Sequence, residues 1–156
     1  MKHLSKQHIF KLCLILPVIA VLCSFLLSPR ISDTFLTLRL PPWAPDPAAL
    51  LLLMILFVLP NVFPLYSLWI SIHFERNQAL KLFLASYFFL FFWPIILFEY
   101  RLSFFALVWS ASLTLINLCL LMQLLLIRPK SMLLTLPYAL WCVFLLYLNF
   151  GIVILN

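Results

Sequence analysis

The feature that most constrains this chain is where its charge is missing. Five stretches contain no Asp, Glu, Lys or Arg: Leu12 to Pro29, Pro47 to Phe74, Leu82 to Phe98, Leu102 to Ile127 and Ser131 to Asn156, of 18, 28, 17, 26 and 26 residues. All four acidic and all ten basic residues fall outside them. A helix rises about 1.5 Å per residue and a hydrocarbon core is about 30 Å thick, so roughly 20 residues cross it. The runs therefore predict transmembrane helices over about residues 9–28, 48–72, 79–98, 102–127 and 131–155. The short third run gains depth from Ala79 to Lys81, whose ammonium reaches the headgroups on its flexible stem. The expected fold class is an all-α integral membrane protein: a single bundle of five transmembrane helices with a long loop between helices one and two.

Composition closes the alternatives. With 67% hydrophobic and 9% charged residues, a 156-residue water-soluble fold would lack a polar surface, and disorder needs the opposite balance. A barrel would alternate polar and apolar residues over segments of about ten, and Leu50 to Leu59 does not alternate. Lys2, Lys6 and Lys11 ahead of the first run are reminiscent of a secretory signal, but Ser24 to Arg30 reads S-F-L-L-S-P-R without a small-x-small site. The first run is expected to remain as a span.

Cytoplasmic loops retain Lys and Arg. Seven of them (Lys2, Lys6, Lys11, Arg76, Lys81, Arg128, Lys130) fall on one side and three (Arg30, Arg39, Arg101) on the other. This predicts the amino terminus inside and the carboxyl terminus outside, in a bacterial cytoplasmic membrane or equivalent bilayer. Contact with anionic headgroups accounts for the net charge of +6, so no nucleic-acid partner is needed.

Catalytic and metal signatures are missing. Cys13, Cys23, Cys119 and Cys142 lie inside spans at spacings matching no metal or redox motif, and read as structural thiols. His3 and His8 sit on the basic tail and His73 at a helix end. Asp33, Asp46, Glu75 and Glu99 lie in connections, so the midplane carboxylates of an ion relay are absent. No cofactor and no metal site are expected.

Three features point inward. The connection from Pro29 to Asp46 ends in Pro41-Pro42-Trp43-Ala44-Pro45-Asp46-Pro47, which cannot be continuous helix. It is either a cap over the outer mouth of the bundle or a Trp43 interfacial anchor with a proline-set turn. Pro60, Pro64 and Pro94 should kink helices two and three, which packing alone can explain. In helix five, Tyr138, Trp141, Asn149 and Asn156 fall within about 80° of one another at 100° per residue. In helix four, Ser110, Thr114 and Asn117 share a face. A bare amide in hydrocarbon costs several kcal/mol, so Asn117 and Asn149 should face protein or a polar ligand. Hydrogen bonding between helices serves them as well as a ligand would.

The run Leu136 to Asn149 carries P-Y-x-x-W-x-x-F-x-x-Y-L-N, and with Ile152 and Leu155-Asn156 it resembles the fifth helix of the TspO/MBR family, the tryptophan-rich sensory or translocator proteins. Leu38, Arg39, Pro41, Pro42, Trp43 and Pro45 are similar to that family's L-R-x-P-P-W-x-P string. The likeness covers nearly the whole chain and is that of a divergent member. Ala48 to Met54 replaces W-x-F-G-P-x-W, only Trp93 remains of N-A-L-W-S in helix three (Leu90 and Pro94 stand for its asparagine and serine), and Thr34-Phe35 takes the place of a Trp-Tyr pair. The resemblance implies a pocket between the helices, beneath the first loop, for a hydrophobic ligand such as a porphyrin, haem or sterol. It also implies a homodimer, although one glycine and no G-x-x-x-G leave its interface unmarked. Carried onto this sequence, the pocket is lined by Trp141, Asn149, Tyr138, Trp93 and Asn117, with Trp43 in the cover.

Binding is expected rather than catalysis, with aromatic faces against a flat ligand and the Asn149 amide orienting its polar edge. Some bacterial relatives are associated with light-dependent porphyrin breakdown involving tryptophans, of which Trp141 is matched and the second-helix tryptophan is not. A photo-oxidative porphyrin-degrading enzyme and a ligand-free membrane scaffold are the alternatives. The sterol pattern L/V-x-Y-x-K/R does not occur around Tyr147 or Tyr100.

Overall fold

Each charge-free run is helical in the computed structural model, which describes residues 6–156. Lys2 and His3 lie outside the described residues. The first span is α1 (Lys6–Leu26); a short α2 (Ile31–Thr37) follows in the first connection. The second span comprises α3 (Pro47–Val58), a 3₁₀ turn (Leu59–Asn61) and α4 (Val62–Trp69). The third is α5 (Arg76–Pro94) with a π-helical turn (Ile95–Glu99), the fourth α6 (Ser103–Ile127) and the fifth α7 (Pro129–Leu155). Among the described residues these five are long and apolar enough to cross a bilayer, and there is no strand.

Local chemistry sets the boundaries. Asp46 caps α3 by accepting the Ala49 N–H at 2.7 Å, and Pro47 occupies the first turn, where its missing donor is not needed. Of the expected proline kinks, those at Pro60 and Pro94 appear as changes of helix type, whereas Pro64 lies in the first turn of regular α4, where its missing N–H is not needed. Pro60 sits in the 3₁₀ turn that joins α3 to α4. Pro94 has no N–H for the Leu90 carbonyl, and the next turn widens until the Tyr100 N–H reaches the Ile95 carbonyl at 3.1 Å. Arg101, with φ 56°, then reverses the chain into α6. At the opposite end of the bundle, Arg76 Nη1 donates to the Ser71 and Trp69 carbonyls at 2.7 and 3.5 Å and so closes the end of α4.

The spans close into a ring. The first packs on the second and third, the fourth on the third and fifth, and the fifth on the second. The ring is inverted relative to a water-soluble fold. Leu52, Leu56, Leu84, Phe104, Leu115 and Met122 are exposed on its outer surface, whereas Asn61, Ser86, Ser110, Asn117, Thr135 and Asn149 are buried. An apolar exterior over this extent requires lipid as its solvent, which makes the chain an integral multi-pass membrane protein.

The first connection is more ordered than its prolines suggest. Residues 30–40, between Pro29 and the Pro41-Pro42 string, contain no proline, and Ile31, Thr34, Phe35 and Leu38 recur at helical spacing toward the bundle, forming α2. Thr34 Oγ1 donates to the Phe98 carbonyl at 2.9 Å, Phe35 stacks on Phe98 at 5.2 Å, and Arg30 Nε lies 3.5 Å from Glu99 Oε1.

Candidate functional site

The ring of spans positions the six residues expected to form a site, and it separates them into three sets. Tyr138 and Asn117 have their polar groups occupied by protein. Tyr138 Oη and Ser86 Oγ lie 2.8 Å apart. Asn117 Nδ2 donates to Ser86 Oγ at 3.0 Å, to the Leu113 carbonyl at 2.9 Å and to Cys142 Sγ at 3.4 Å. Thr114 Oγ1 adds a bond to the Cys142 carbonyl at 3.2 Å. The fourth-helix stripe thus serves as a buried tie among spans three, four and five, with Ser86 as its hub.

Trp43 and Trp141 belong to an aromatic ladder that descends from the loop into the bundle. Trp43 stacks on Tyr147 at 4.5 Å with planes 11° apart and meets the Phe144 edge at 5.8 Å. Phe144 stacks on Trp141 at 5.0 Å, and Trp141 stacks on Phe57 of the second span at 5.1 Å. The P-Y-x-x-W-x-x-F-x-x-Y spacing explains this, because Trp141, Phe144 and Tyr147 repeat every three residues along one helix face. Offset stacking of this kind contributes about 0.5–1.5 kcal/mol per pair beyond area burial.

Trp93 and Asn149 are buried and incompletely satisfied. Asn149 Nδ2 donates to the Leu145 carbonyl of its own helix at 2.7 Å, but its Oδ1 has no partner. Trp93 packs edge-on to Phe98, and its indole N–H also has none. The Trp141 indole N–H is a third such group.

Sequence reasoning passed over Asn61, which is fully buried in the 3₁₀ turn of the second span with both amide atoms unpartnered. The signal was available: it is the only amide in the 28-residue second run, placed directly after Pro60. Phe57 and Phe144, which both stack on Trp141, and Tyr87, whose buried hydroxyl is also unpartnered among the described residues, were likewise missed. Phe57 is four residues from Asn61, and Trp141 eight from Asn149. With Phe57 and Trp141 level with each other, these amides bracket about 18 Å of bundle height.

The loop is fastened over this region at three points. Asn156 clamps the Arg39 backbone, accepting its N–H at 2.9 Å and donating to its carbonyl at 3.0 Å. Asn156, grouped by angle with the inward stripe, therefore serves the cover rather than the interior. Gly151 is the second point: a Cβ there would lie 2.7 Å from Pro41 Cγ, so only glycine admits the proline ring so close to α7. The Trp43–Tyr147 stack is the third. Open clefts of about 370, 490 and 390 Å³ flank the first span, and none is lined by the six residues.

Among the described residues no group of His, Cys, Asp and Glu could hold a metal ion. No curated protein matches the chain. The model of the TspO/MBR family matches residues 12–155, nearly the whole length. With five spans in a closed ring and a fastened first connection already in place, that match shows that the chain belongs to the TspO/MBR family.

Proposed function

We propose that the chain binds a hydrophobic, partly polar ligand of tetrapyrrole or sterol type inside the ring, beneath the first connection, and that it acts by binding, as a sensor or carrier, rather than by catalysis. One observation carries this reading. Among the described residues the indole N–H groups of Trp93 and Trp141, both amide atoms of Asn61 and the Oδ1 of Asn149 are buried on three spans with no protein partner. A buried unsatisfied polar group costs about 1–3 kcal/mol, so four such residues call for a compensating occupant. The ladder rings offer flat faces, and the orphaned groups offer three donors and two acceptors to the edge of a planar guest.

Entry requires the Trp43 side of the ladder to lift, because Phe57 and Phe144 are both stacked on Trp141. The excess of Lys and Arg around Lys6, Lys11, Arg76, Lys81, Arg128 and Lys130 supports a cytoplasmic amino terminus, which puts the fastened loop on the outer face. The test is quenching of intrinsic fluorescence by protoporphyrin IX on detergent-purified protein. Trp141→Ala is expected to weaken binding about tenfold, the loss of one stacked ring at the upper end of its worth. Unchanged affinity in a folded Trp141→Ala protein would remove the assignment.

A ligand-free scaffold is the second reading, favoured by the Tyr138–Ser86–Asn117 tie. It requires a melting temperature that does not move across a panel of porphyrins and sterols.

A further inference from the structure

Away from the ladder, a cleft of about 370 Å³ opens on the bundle's flank where the first, second and third spans meet, and its accessible lining is wholly apolar. Leu12 and Leu16 of α1, Leu65 and Trp69 of α4, and Leu80 and Leu84 of α5 form its walls. Its position is toward the span ends that carry the positive charge. Lys81 stands in the lining, exposed and, among the described residues, with neither an ion pair nor a hydrogen bond. At the deep end is Tyr87, 5% exposed, whose hydroxyl has no partner.

We propose that this cleft is a binding site for one acyl chain of an anionic phospholipid from the adjacent leaflet, with the phosphate paired to Lys81. Three observations select that occupant. The opening faces lipid, since Leu16 and Leu84 are both exposed on the outer surface, so a chain enters sideways without crossing water. Apart from Lys81 and the buried Cys13, the walls are alkyl and aromatic, which suits methylenes. The one charged group is a cation at headgroup depth, the place of a phosphate when the chain lies in the cleft. Arg76, the nearest other cation in sequence, is occupied by the Ser71 and Trp69 carbonyls, so Lys81 is left for the lipid. The site stands apart from the ladder and does not depend on the proposed interior ligand.

Trp69 in the cleft wall supplies the readout. The full-length protein is reconstituted in phosphatidylcholine vesicles containing a minor fraction of lipid brominated on its chains, with either a phosphatidylglycerol or a phosphatidylcholine head, and Trp fluorescence quenching is recorded. Phosphatidylglycerol is expected to be preferred about fivefold, the worth of one lysine near the membrane surface. The preference falls toward one in Lys81→Gln and persists in Lys130→Gln, which removes a cation outside the cleft. It also falls in Trp69→Phe, which deletes the reporter without deleting the charge. An undiminished preference in Lys81→Gln, or equal loss in Lys130→Gln, overturns the site. So does a preference unaffected by Trp69→Phe, since the lipid is then recruited elsewhere. Brominated oleate that competes fully while phosphatidylglycerol does not would also overturn it, by assigning the cleft to free fatty acid.

Discussion

Replacing Gly151 by alanine should loosen the cover over the ladder, and the size of the effect follows from one distance. The new methyl carbon would lie 2.7 Å from Pro41 Cγ and 3.6 Å from Trp43 Cζ2. Carbon atoms rest about 3.5–4.0 Å apart, so the Pro41 ring must retreat by about 1 Å. It is poorly able to do so, because Pro41-Pro42 is stiff and Arg39, two residues back, is clamped by Asn156. Overpacking of this kind costs about 1–3 kcal/mol. Alanine also favours the helix by about 0.8–1 kcal/mol, but that gain is shared by the states with the loop seated and lifted. The lifting equilibrium therefore carries the whole clash, a shift of about 5- to 150-fold. Trypsin cleavage after the exposed Arg39 reads it, since cleavage tracks the lifted fraction when opening is fast relative to cutting. Pro41→Ala removes the clashing carbon, and the Gly151→Ala/Pro41→Ala protein should return to the rate of Pro41→Ala alone. Cleavage unchanged in Gly151→Ala, or not restored in the double variant, refutes the close-approach reasoning.

Ser86→Ala should lower the melting temperature by leaving Tyr138 and Asn117 short of a partner, at about 1–3 kcal/mol per orphaned group. Thermal unfolding of Ser86→Ala, Asn117→Leu and the double variant should depart from additivity by more than about 0.5 kcal/mol; additive losses would mean the three side chains do not act as one network. Tyr147→Leu removes the ring under Trp43 and should raise the Arg39 cleavage rate, with about 0.5–1.5 kcal/mol lost from the stack. An unchanged rate would show that the clamp and Gly151 hold the loop without it. Asn61→Leu should stabilise the ligand-free protein by about 1–3 kcal/mol, because it removes a buried amide with no partner, while weakening protoporphyrin quenching. A drop in melting temperature would show that Asn61 is satisfied in the folded protein.

The spans were legible because hydrocarbon disfavours charge, and the charge-free gaps Lys11 to Arg30, Asp46 to Glu75, Lys81 to Glu99, Arg101 to Arg128 and the stretch after Lys130 mark them without reference to neighbours. Angular spacing also read correctly that Ser110, Thr114 and Asn117 turn inward, since each is buried. It could not tell which partner each meets, because that depends on the order of spans around the ring. Asn117 reaches Ser86 only because the third span lies beside the fourth. Asn156 shows the limit of the method: it lies within the same angular stripe as Asn149 but ends the helix, where the loop rather than the interior is in reach. Gly151 carries no pattern at all. Its role exists only in the approach of Pro41, more than a hundred positions away.

The distribution of satisfied and unsatisfied groups divides the ring into a fixed wall and a movable one. Spans three, four and five are tied by hydrogen bonds through Ser86, Asn117 and Thr114, each expensive to break in a low-dielectric interior. At the ladder, the second span meets the fifth through Phe57 on Trp141, a contact without directional bonds that can slide or part at lower cost. Only near the opposite end does a polar contact join them, Ser67 Oγ to Ser131 Oγ at 3.2 Å. The second span is thus anchored at that end and held by stacking toward the loop, with the 3₁₀ turn at Leu59–Asn61 between the two regimes. A guest arriving under the loop would push on the part of the wall with the weakest hold, meeting Asn149 on the loop side of Trp141 first and Asn61 deeper, at the turn where the wall can flex.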